Sequence, residues 1–366
     1  MPSGIYIHIP FCVKKCAYCD FLSFAQTDNE EPYVTALLRE IHATKFATEI
    51  DTVYIGGGTP TALPPFLLCK ILAEVAKLPL TADAEITVEA NPGTIDEKYL
   101  QALKKHGANR LSLGLQTTHS HLLETLGRMH SPEDFYENFH AARRAGFDNI
   151  NVDLMFALPR QTEKNWLETL ECIIALSPEH ISAYSLTPAE NTLLWEQLQG
   201  GLSLPDEETD RNMYHAARRM LGAAGYSHYE ISNFAKRGRV SESRHNVNCW
   251  TMKPYRGFGL GAHSFDFVGD GAARWHNTED MKEYLATAGQ AVAKDSYIAL
   301  SQQEVLSEEI MLGLRMTCGV NKNKLAAFEN EAAKLVAEGL LFQNGNNLAL
   351  TERGLDLANR VFSVFV

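Results

Sequence analysis

Six short apolar runs alternate with helix-like segments in the first half of this 366-residue chain, and this alternation limits the folds open to it. Each run is rich in Val, Ile, Leu and Tyr and predicts a buried strand. The runs cover residues 5–9, 53–57, 86–90, 110–116, 149–156 and 180–186. Strands that alternate with helices predict a parallel sheet with right-handed crossovers, either doubly wound and open or barrel-like.

Polar and glycine residues at the carboxyl ends of the predicted strands favour the barrel. A cysteine-containing loop follows the first strand. The later strand ends carry Gly56, Gly57, Gly58, Thr59, Glu89, Asn91, Gln116 and Asp153. Because α/β barrels keep their active sites at this face, we expect five strand ends to meet at one mouth. The predicted fold is therefore α/β, with a partial TIM-like barrel of six βα units.

The pattern changes beyond the barrel, and we divide the chain into three parts. Residues 1–199 are predicted to form the barrel, and the Gly-rich, aromatic segment 200–295 an accessory α+β segment attached to it. Residues 296–366 contain two helical stretches, a hairpin signal at Asn344 and Gly345, and a last helix that starts at Thr351. This order of helices and hairpin resembles a winged-helix module.

Composition excludes some functions. The formal net charge of -12 argues against binding nucleic acid by phosphate neutralisation. The chain shows no long apolar run and no signal-peptide pattern at its start, so we expect a cytoplasmic protein. Seven cysteines, an odd number, with three of them close together, indicate a metal site in a reducing compartment and not a disulfide framework.

Those three cysteines are spaced Cys12-x3-Cys16-x2-Cys19. Three thiolates can hold three irons of a 4Fe-4S cluster and leave the fourth iron open, which suggests chemistry and not electron storage alone. A structural zinc site would want a fourth ligand at short spacing and a second pair of ligands, which we do not find. We expect Lys14 and Lys15, within the loop, to lower the thiol pKa values.

The cysteine motif, with an aromatic residue before its third cysteine, resembles the signature of the radical S-adenosylmethionine (SAM) superfamily. GGGTPT at residues 56–61 strengthens the resemblance. In that superfamily SAM binds the open iron, and the glycine stretch meets the amino group of its methionine moiety. The resemblance therefore implies a 4Fe-4S cluster, with Cys12, Cys16 and Cys19 as its ligands, and SAM as a cofactor.

Further motifs extend the resemblance, over nearly the whole chain, to the subgroup that contains oxygen-independent coproporphyrinogen oxidase. They include EANP, NRLSLGLQ, LGRMH, NINVDLMFALPRQT, YEISNFA and GFGLGAHSF. By this resemblance the SAM site is lined by Tyr6, Tyr18, Gly56, Gly57, Gly58, Thr59, Glu89, Gln116, Arg128 and Asp153. A carboxylate can bind ribose hydroxyls, and an arginine can bind the methionine carboxylate. A helix-end salt bridge for Arg128 and a buried cap for Asp153 are the alternatives.

Ala157 and Arg160 stand where the subgroup usually has glycines. We expect them to adjust a loop near the SAM site and no more.

Two functions within the subgroup fit the chain. The oxidase has a further cysteine two residues past the third, where this chain has Phe21, and an extra N-terminal segment. RHNVNCW at residues 244–250 is instead similar to the His-Asn-x-x-Tyr-Trp motif of a group of haem chaperones. The haem-binding candidates are His245 as axial ligand, Trp250 as an apolar wall and Cys249, which replaces the usual tyrosine. A buried, hydrogen-bonded His245 is the structural alternative.

The resemblance favours a haem chaperone that binds a cluster, SAM and, near the barrel mouth, haem. Its expected partners are haem, an unidentified haem-acceptor protein, and an electron donor if SAM is cleaved. Nucleic acid is not expected, and membrane contact only transiently through an acceptor. The alternative is the oxidase, which converts propionates of coproporphyrinogen III to vinyl groups by SAM-dependent decarboxylation.

Overall fold

A computed structural model describes residues 3–25, 28–236, 241–290 and 296–366. The predicted segment 200–295 therefore includes two short stretches that lie outside the described residues. The strands are β1 (Ser3–Ile9), β2 (Phe11–Cys12), β3 (Phe24–Ala25), β4 (Ile50–Gly57), β5 (Leu80–Ala90), β6 (Arg110–Gln116), β7 (Ile150–Phe156), β8 (His180–Ser185), β9 (Tyr226–Glu230), β10 (Asn233–Lys236), β11 (Tyr255–Phe258), β12 (His263–Val268), β13 (Gly271–His276), β14 (Ile298–Leu300), β15 (Val320–Asn321), β16 (Leu341–Asn344) and β17 (Asn347–Leu350). The α-helices are α1 (Glu30–Ala43), α2 (Pro65–Val75), α3 (Glu97–Lys105), α4 (Ser120–Thr125), α5 (Pro132–Arg144), α6 (Glu163–Leu176), α7 (Leu193–Gln199), α8 (Glu207–Ala223), α9 (Arg244–Trp250), α10 (Met281–Thr287), α11 (Gln302–Gly313), α12 (Glu329–Ala337), α13 (Glu352–Asp356) and α14 (Ala358–Phe362).

The centre of the large sheet consists of parallel strands in chain order, namely β1, β4, β5, β6, β7 and β8. These are the six runs that the sequence predicts as strands. Their outward side chains pack against the crossover helices in one continuous apolar core. The predicted α/β fold is confirmed, since all five pairings between the six strands are parallel and each crossover contains at least one helix.

Strands that follow β8 in the chain extend this sheet at both edges. On one side β11 pairs in parallel with β1 and continues through β12, β13 and β14. On the other side β10 pairs antiparallel with β8, and β9 pairs with β10. The result is one mixed sheet of twelve strands among the described residues.

Local sequence signals set the ends of several helices. Ser131 accepts a hydrogen bond from the Asp134 backbone N–H at 3.1 Å, and the Asp134 carboxylate accepts one from the Ser131 N–H at 2.7 Å. This reciprocal pair is a capping box at the start of α5. Gly107 and Gly146 follow α3 and α5 with φ angles of 99° and 88°, which a residue with a Cβ rarely adopts.

The end of the chain forms a small module. Its order is α11, α12, the hairpin of β16 and β17, and α13, and Thr351 caps α13 by accepting the Gly354 N–H at 2.9 Å. The hairpin turns at Asn344 and Gly345, as predicted. None of the helices among the described residues is long and apolar enough to cross a membrane.

A buried carboxylate joins α1 to the loop that contains GFGLGAHSF. Glu40, 4% exposed, accepts hydrogen bonds from the Gly259 N–H at 3.0 Å, the Tyr284 hydroxyl at 2.7 Å and the Asn277 amide at 2.7 Å. Gly259 has a φ of 99°, and a Cβ there would lie 2.5 Å from the Tyr33 hydroxyl. This motif is therefore a packing element that holds β11 and β12 against the barrel.

Replacing Glu40 by alanine leaves the Gly259 N–H and the Tyr284 hydroxyl without this acceptor, and the Asn277 amide keeps only its bond to the Gly259 carbonyl. We expect Glu40→Ala to lower the free energy of unfolding by roughly 3 kcal/mol, measured by urea denaturation. Glu31→Ala, on the exposed face of the same helix, is the control and should change it by less than about 0.5 kcal/mol. Equal losses in the two variants would contradict the anchoring role of Glu40.

Ala157 and Arg160 both adopt left-handed backbone conformations, with φ angles of 55° and 63°. The subgroup's usual glycines at these positions therefore have a conformational reason. A side chain in this region costs roughly 1–2 kcal/mol. Ala157 and Arg160, which stand in place of these glycines, therefore store strain in the loop that follows β7.

Arg160→Gly should relieve this strain. We expect the free energy of unfolding to rise by roughly 0.5 kcal/mol, because the relief exceeds the extra entropy that glycine gives the unfolded chain. Arg219→Gly, at an exposed position inside α8, is the control and should lose about 1 kcal/mol. Destabilisation by Arg160→Gly would show that the arginine side chain makes an unrecognised contact.

Candidate functional site

The pairing of β1 with β4 brings the cysteine loop and the glycine stretch together. Beyond the paired strands the Gly58 N–H donates to the carbonyl of Ile9 at 2.9 Å, and the Thr59 N–H donates to that of Phe11 at 2.7 Å. The Thr59 hydroxyl then donates to the sulfur of Cys12 at 3.6 Å. Two segments about 40 residues apart in sequence thus form one wall of a cavity.

This cavity, the SAM pocket, has a volume of about 510 Å³ and opens at the carboxyl ends of the parallel strands. It is lined by most of the predicted site residues, namely Cys12, Cys16, Tyr18, Cys19, Gly57, Gly58, Thr59, Glu89, Gln116, Arg128 and Asp153. Tyr6 and Gly56 do not line it. The predicted convergence of the strand ends on one mouth is therefore what the structure shows.

Tyr6 and Gly56 instead lie behind the lining. The Tyr6 hydroxyl is 3.0 Å from Nδ1 of His8, and the Tyr6 ring stacks on Tyr54. A Cβ on Gly56 would lie 2.8 Å from the Glu89 carboxylate, so only glycine leaves Glu89 its place. Their influence on a ligand is indirect.

Glu89 accepts hydrogen bonds on both carboxylate oxygens, from the Tyr54 hydroxyl at 2.6 Å and the Gly57 N–H at 3.2 Å. Burial raises the pKa of Glu89 to about 7, and the bond from Tyr54 opposes this rise. The carboxylate thus titrates near neutral pH and is fixed in position before any ligand binds.

Arg128 is oriented by two hydrogen bonds. One guanidinium nitrogen donates to the side-chain oxygen of Asn91 at 2.9 Å and another to the carbonyl of Gly114 at 3.1 Å. Its Nε has no partner among the described residues. The alternative, a helix-end salt bridge, is not formed with any of the described residues, and the geometry leaves a donor for a carboxylate ligand.

Gln116 ends β6 in a left-handed conformation, with φ at 73°, and its side-chain oxygen accepts from the Tyr184 hydroxyl at 3.0 Å. Strain of this kind at a strand end is typical of functional sites. It directs a buried amide into the SAM pocket.

A polar network crosses the barrel interior below the pocket. Asp153 accepts hydrogen bonds from Ser112 at 3.0 Å and from the Asn151 amide at 2.8 Å. His180 bridges the side-chain oxygen of Asn151 at 2.6 Å and the Tyr229 hydroxyl at 2.8 Å. Because Asn151 Nδ2 donates to a carboxylate, its oxygen must accept, and His180 must carry its proton on Nδ1.

The cysteine thiols fit a cluster. No group of three His, Cys, Asp or Glu side chains among the described residues is placed to hold a single metal ion. A 4Fe-4S cluster instead takes one thiolate on each of three irons, and Cys12, Cys16 and Cys19 line one cavity, the SAM pocket. The cavity between them has room for a cofactor on the fourth iron.

One expectation about the thiols is met only in part. Burial raises the pKa values of Cys12 and Cys19, and hydrogen bonds and nearby charges only partly offset it. Lys15 makes a small opposing contribution at Cys19, and its ammonium group donates to the carbonyl of Phe21 instead, at 3.1 Å. The lysines of the loop therefore do not set the thiol pKa values.

The structure places α9, which carries RHNVNCW, at the opposite end of the barrel from the cysteines. Its first N–H groups donate to the Glu85 carboxylate, that of Arg244 at 3.1 Å and that of His245 at 3.2 Å. The Asn248 amide donates to Asp51 at 2.9 Å. Asp51 lies at the amino end of β4, and Glu85 of β5 pairs with the next residue of that strand, Thr52. Helix α9 therefore closes the barrel floor, and the expectation that it lies at the mouth is wrong.

His245 is enclosed in this floor. Its Nδ1 is 3.1 Å from the Thr52 hydroxyl, its ring lies against Tyr54, and burial lowers its pKa to about 4. Burial raises the pKa of Cys249 to about 12, which disfavours a thiolate ligand. His245 therefore matches the alternative of a buried, hydrogen-bonded histidine. Two other residues of the motif, Asn246 and Trp250, line a cavity inside the barrel.

Two tyrosines at the site were missed from the sequence. Tyr54 holds Glu89, and Tyr184, in β8, lines the SAM pocket and holds Gln116. Tyr184 lies near the carboxyl end of the sixth predicted strand, so the rule that identified Asp153 could have found it. Tyr54 gives no such signal, because it lies among apolar residues in mid-strand.

Comparison with known proteins agrees with this geometry. The family model of the radical SAM superfamily matches residues 6–173, and that of the HemN C-terminal domain matches residues 300–357. The fold and the site together define a radical SAM protein.

Among curated proteins, the heme chaperone HemW of Bacillus subtilis is 37% identical over 99% of this chain and 98% of its own length. The mitochondrial radical S-adenosyl methionine domain-containing protein 1 of mouse is 34% identical over 96% of this chain and 85% of its own length. The chain belongs to the HemW family. The structure of coproporphyrinogen III oxidase (HemN) from Escherichia coli shares the fold, with a TM-score of 0.84 at 24% identity over all of this chain and 90% of that one.

The buried Glu89 predicts a pH dependence of stability. Its pKa is raised above the ordinary value on folding, so its favourable contribution is complete below about pH 4.5 and is lost as the pH rises through about 7. Relative to Glu89→Gln, we expect the free energy of unfolding of the wild type without cofactors to fall by on the order of 3 kcal/mol between about pH 5 and about pH 8.

Urea unfolding across this pH range measures the difference. Glu171→Gln, at an exposed position in α6, is the control and should keep the wild-type pH profile. Parallel profiles of the wild type and Glu89→Gln would contradict a Glu89 that titrates near neutral pH.

Proposed function

We propose that this protein is a haem chaperone that binds a 4Fe-4S cluster, SAM and haem and transfers haem to an acceptor protein. The observation that carries the proposal is the 37% identity, over nearly the full length of both chains, to a protein named heme chaperone HemW. The match includes all three parts of the chain, so it does not rest on the barrel alone.

The residues of the SAM pocket have distinct tasks in this proposal. Cys12, Cys16 and Cys19 hold the cluster, which supplies reducing chemistry when it is bound. Glu89 accepts hydrogen bonds from ribose hydroxyls, and the free Nε of Arg128 donates to the methionine carboxylate. Gly58 lets the glycine stretch lie directly against the cysteine loop, since a Cβ there would lie 2.7 Å from the Phe11 carbonyl.

Phe21 separates this protein from the oxidase. Its side chain is 61% exposed and lines the SAM pocket beside the cysteines, at the position where the oxidase resembled by the sequence has a further cysteine. A large apolar residue cannot bind iron or donate a proton there. Decarboxylation of coproporphyrinogen is therefore not part of the proposed function.

Two assays on one anaerobically reconstituted preparation test the proposal. Titration with haem should give an absorption band that saturates near one haem per chain. Coproporphyrinogen III with SAM and a reductant should give no protoporphyrinogen, while an authentic oxidase in the same buffer does.

A third measurement tests delivery. The haem-loaded protein should lose its band to a haem-free acceptor protein, and a control with a small-pore membrane between the two should show slower transfer. No haem band in the titration, or formation of protoporphyrinogen, would overturn the proposed function.

A further inference from the structure

Two further cavities share lining residues with the SAM pocket. The first, the side groove, has a volume of about 760 Å³ and lies between β8 with α8 and the C-terminal helices α13 and α14. The second, the floor chamber, has a volume of about 260 Å³ and lies inside the barrel above α9. Tyr184, Ser232 and Arg315 line both, so the side groove and the floor chamber are neighbours.

The floor chamber is surrounded by buried donors that lack acceptors. Nε of Arg110, Nε of Arg315 and the indole N–H of Trp250 each have no hydrogen-bond partner among the described residues. Arg110 is only 2% exposed. Two acceptors of the lining, Oε2 of Glu230 and Oδ1 of Asn233, also have no partner among the described residues. Because buried polar groups are normally satisfied, the excess of donors over acceptors around this cavity indicates a ligand with acceptor atoms.

The acids of the floor chamber do not satisfy these donors. The Asp153 oxygens accept from Ser112 and Asn151. Glu230, fully buried, lies 3.6 Å from a guanidinium nitrogen of Arg315, which is a long ion pair. Burial raises the pKa of Glu230, and the nearby Arg315 only partly opposes this rise. The floor chamber therefore keeps unused capacity for a carboxylate.

The side groove offers room and aromatic surface. Its volume lies within the usual range of about 300–1,000 Å³ for ligand pockets, and Tyr184, Tyr214 and Phe362 line it. Its acids already have partners, since Asp210 is bound by Arg211 and Ser185, and Asp356 lies 3.0 Å from a ring nitrogen of His215. The exposed Glu207 lies at the start of α8.

We propose that the side groove holds the haem macrocycle and that one propionate of the haem enters the floor chamber and binds Arg315, Arg110 and Trp250. This inference rests on the proposed function and names the site that it requires. It assigns the motif helix α9 a role through the indole of Trp250 and not through His245. Arg315 also lies over the Trp250 ring at 4.3 Å, which orients both donors.

The test measures haem binding to the full-length, anaerobically reconstituted protein. Arg315→Met keeps the alkyl stem over Trp250 but removes the charge and the donors, and it should weaken haem binding at least tenfold. Trp250→Phe keeps an aromatic ring and removes only the N–H, and it should weaken binding by about threefold or more. Arg219→Met, an exposed position of α8 outside both cavities, should bind like the wild type.

The second ligand is haem dimethyl ester, which has the same macrocycle and iron but no carboxylates. It should bind the wild type at least tenfold more weakly than haem, and Arg315→Met should not weaken it further. Arg315→Met could fail to fold, which its unfolding midpoint would show. In that case the comparison of haem with its dimethyl ester on the wild type still tests whether a propionate is bound.

The outcomes separate the two proposals. No haem band with the wild type overturns the proposed function and this inference with it. A haem band that neither Arg315→Met nor esterification weakens overturns the inference alone and leaves the proposed function in place.

Discussion

The parallel pairing of β1 with β4 is the interaction on which the rest of the site depends. Its register continues past the ends of the strands into the bonds from Gly58 and Thr59 to the chain after β1. The cysteine loop and the glycine stretch are therefore placed by backbone hydrogen bonds that continue the sheet, and the Thr59 hydroxyl adds one side-chain bond to Cys12. Since β11 pairs with the other edge of β1, this strand is held on both sides.

The sequence was sufficient for the parts of the molecule whose signals are local. Apolar runs located the six parallel strands, and the capping residue Thr351 located the start of a helix. Glu89, Gln116, Arg128 and Asp153 could be grouped because parallel strands bring their carboxyl ends to one edge. This grouping needed only the order of the strands, which sequence periodicity provides.

The parts that were missed depend on contacts between distant segments. That RHNVNCW closes the barrel floor follows from bonds to Asp51 and Glu85, which lie about 160 to 200 residues earlier in the chain. The left-handed angles of Ala157 and Arg160 are likewise set by the loop in which they lie. The sequence marked these two positions only as departures from the subgroup's usual glycines and did not show that their backbone is strained. The resemblance of RHNVNCW to a ligand-binding motif did not indicate which of its side chains would face a cavity.

Arg315 belongs to the C-terminal module, and this has a thermodynamic consequence for ligand binding. Backbone bonds join residues 315–317 to β9 and the turn after it, including one from the Thr317 N–H to the carbonyl of Tyr229 at 3.0 Å. An anion bound by Arg315 can form its full set of bonds only while these backbone bonds persist. Ligand occupancy and docking of the module are then reciprocally linked, and each strengthens the other by the same free energy. An acceptor protein that loosened this module would thereby lower the affinity for the cargo without touching it.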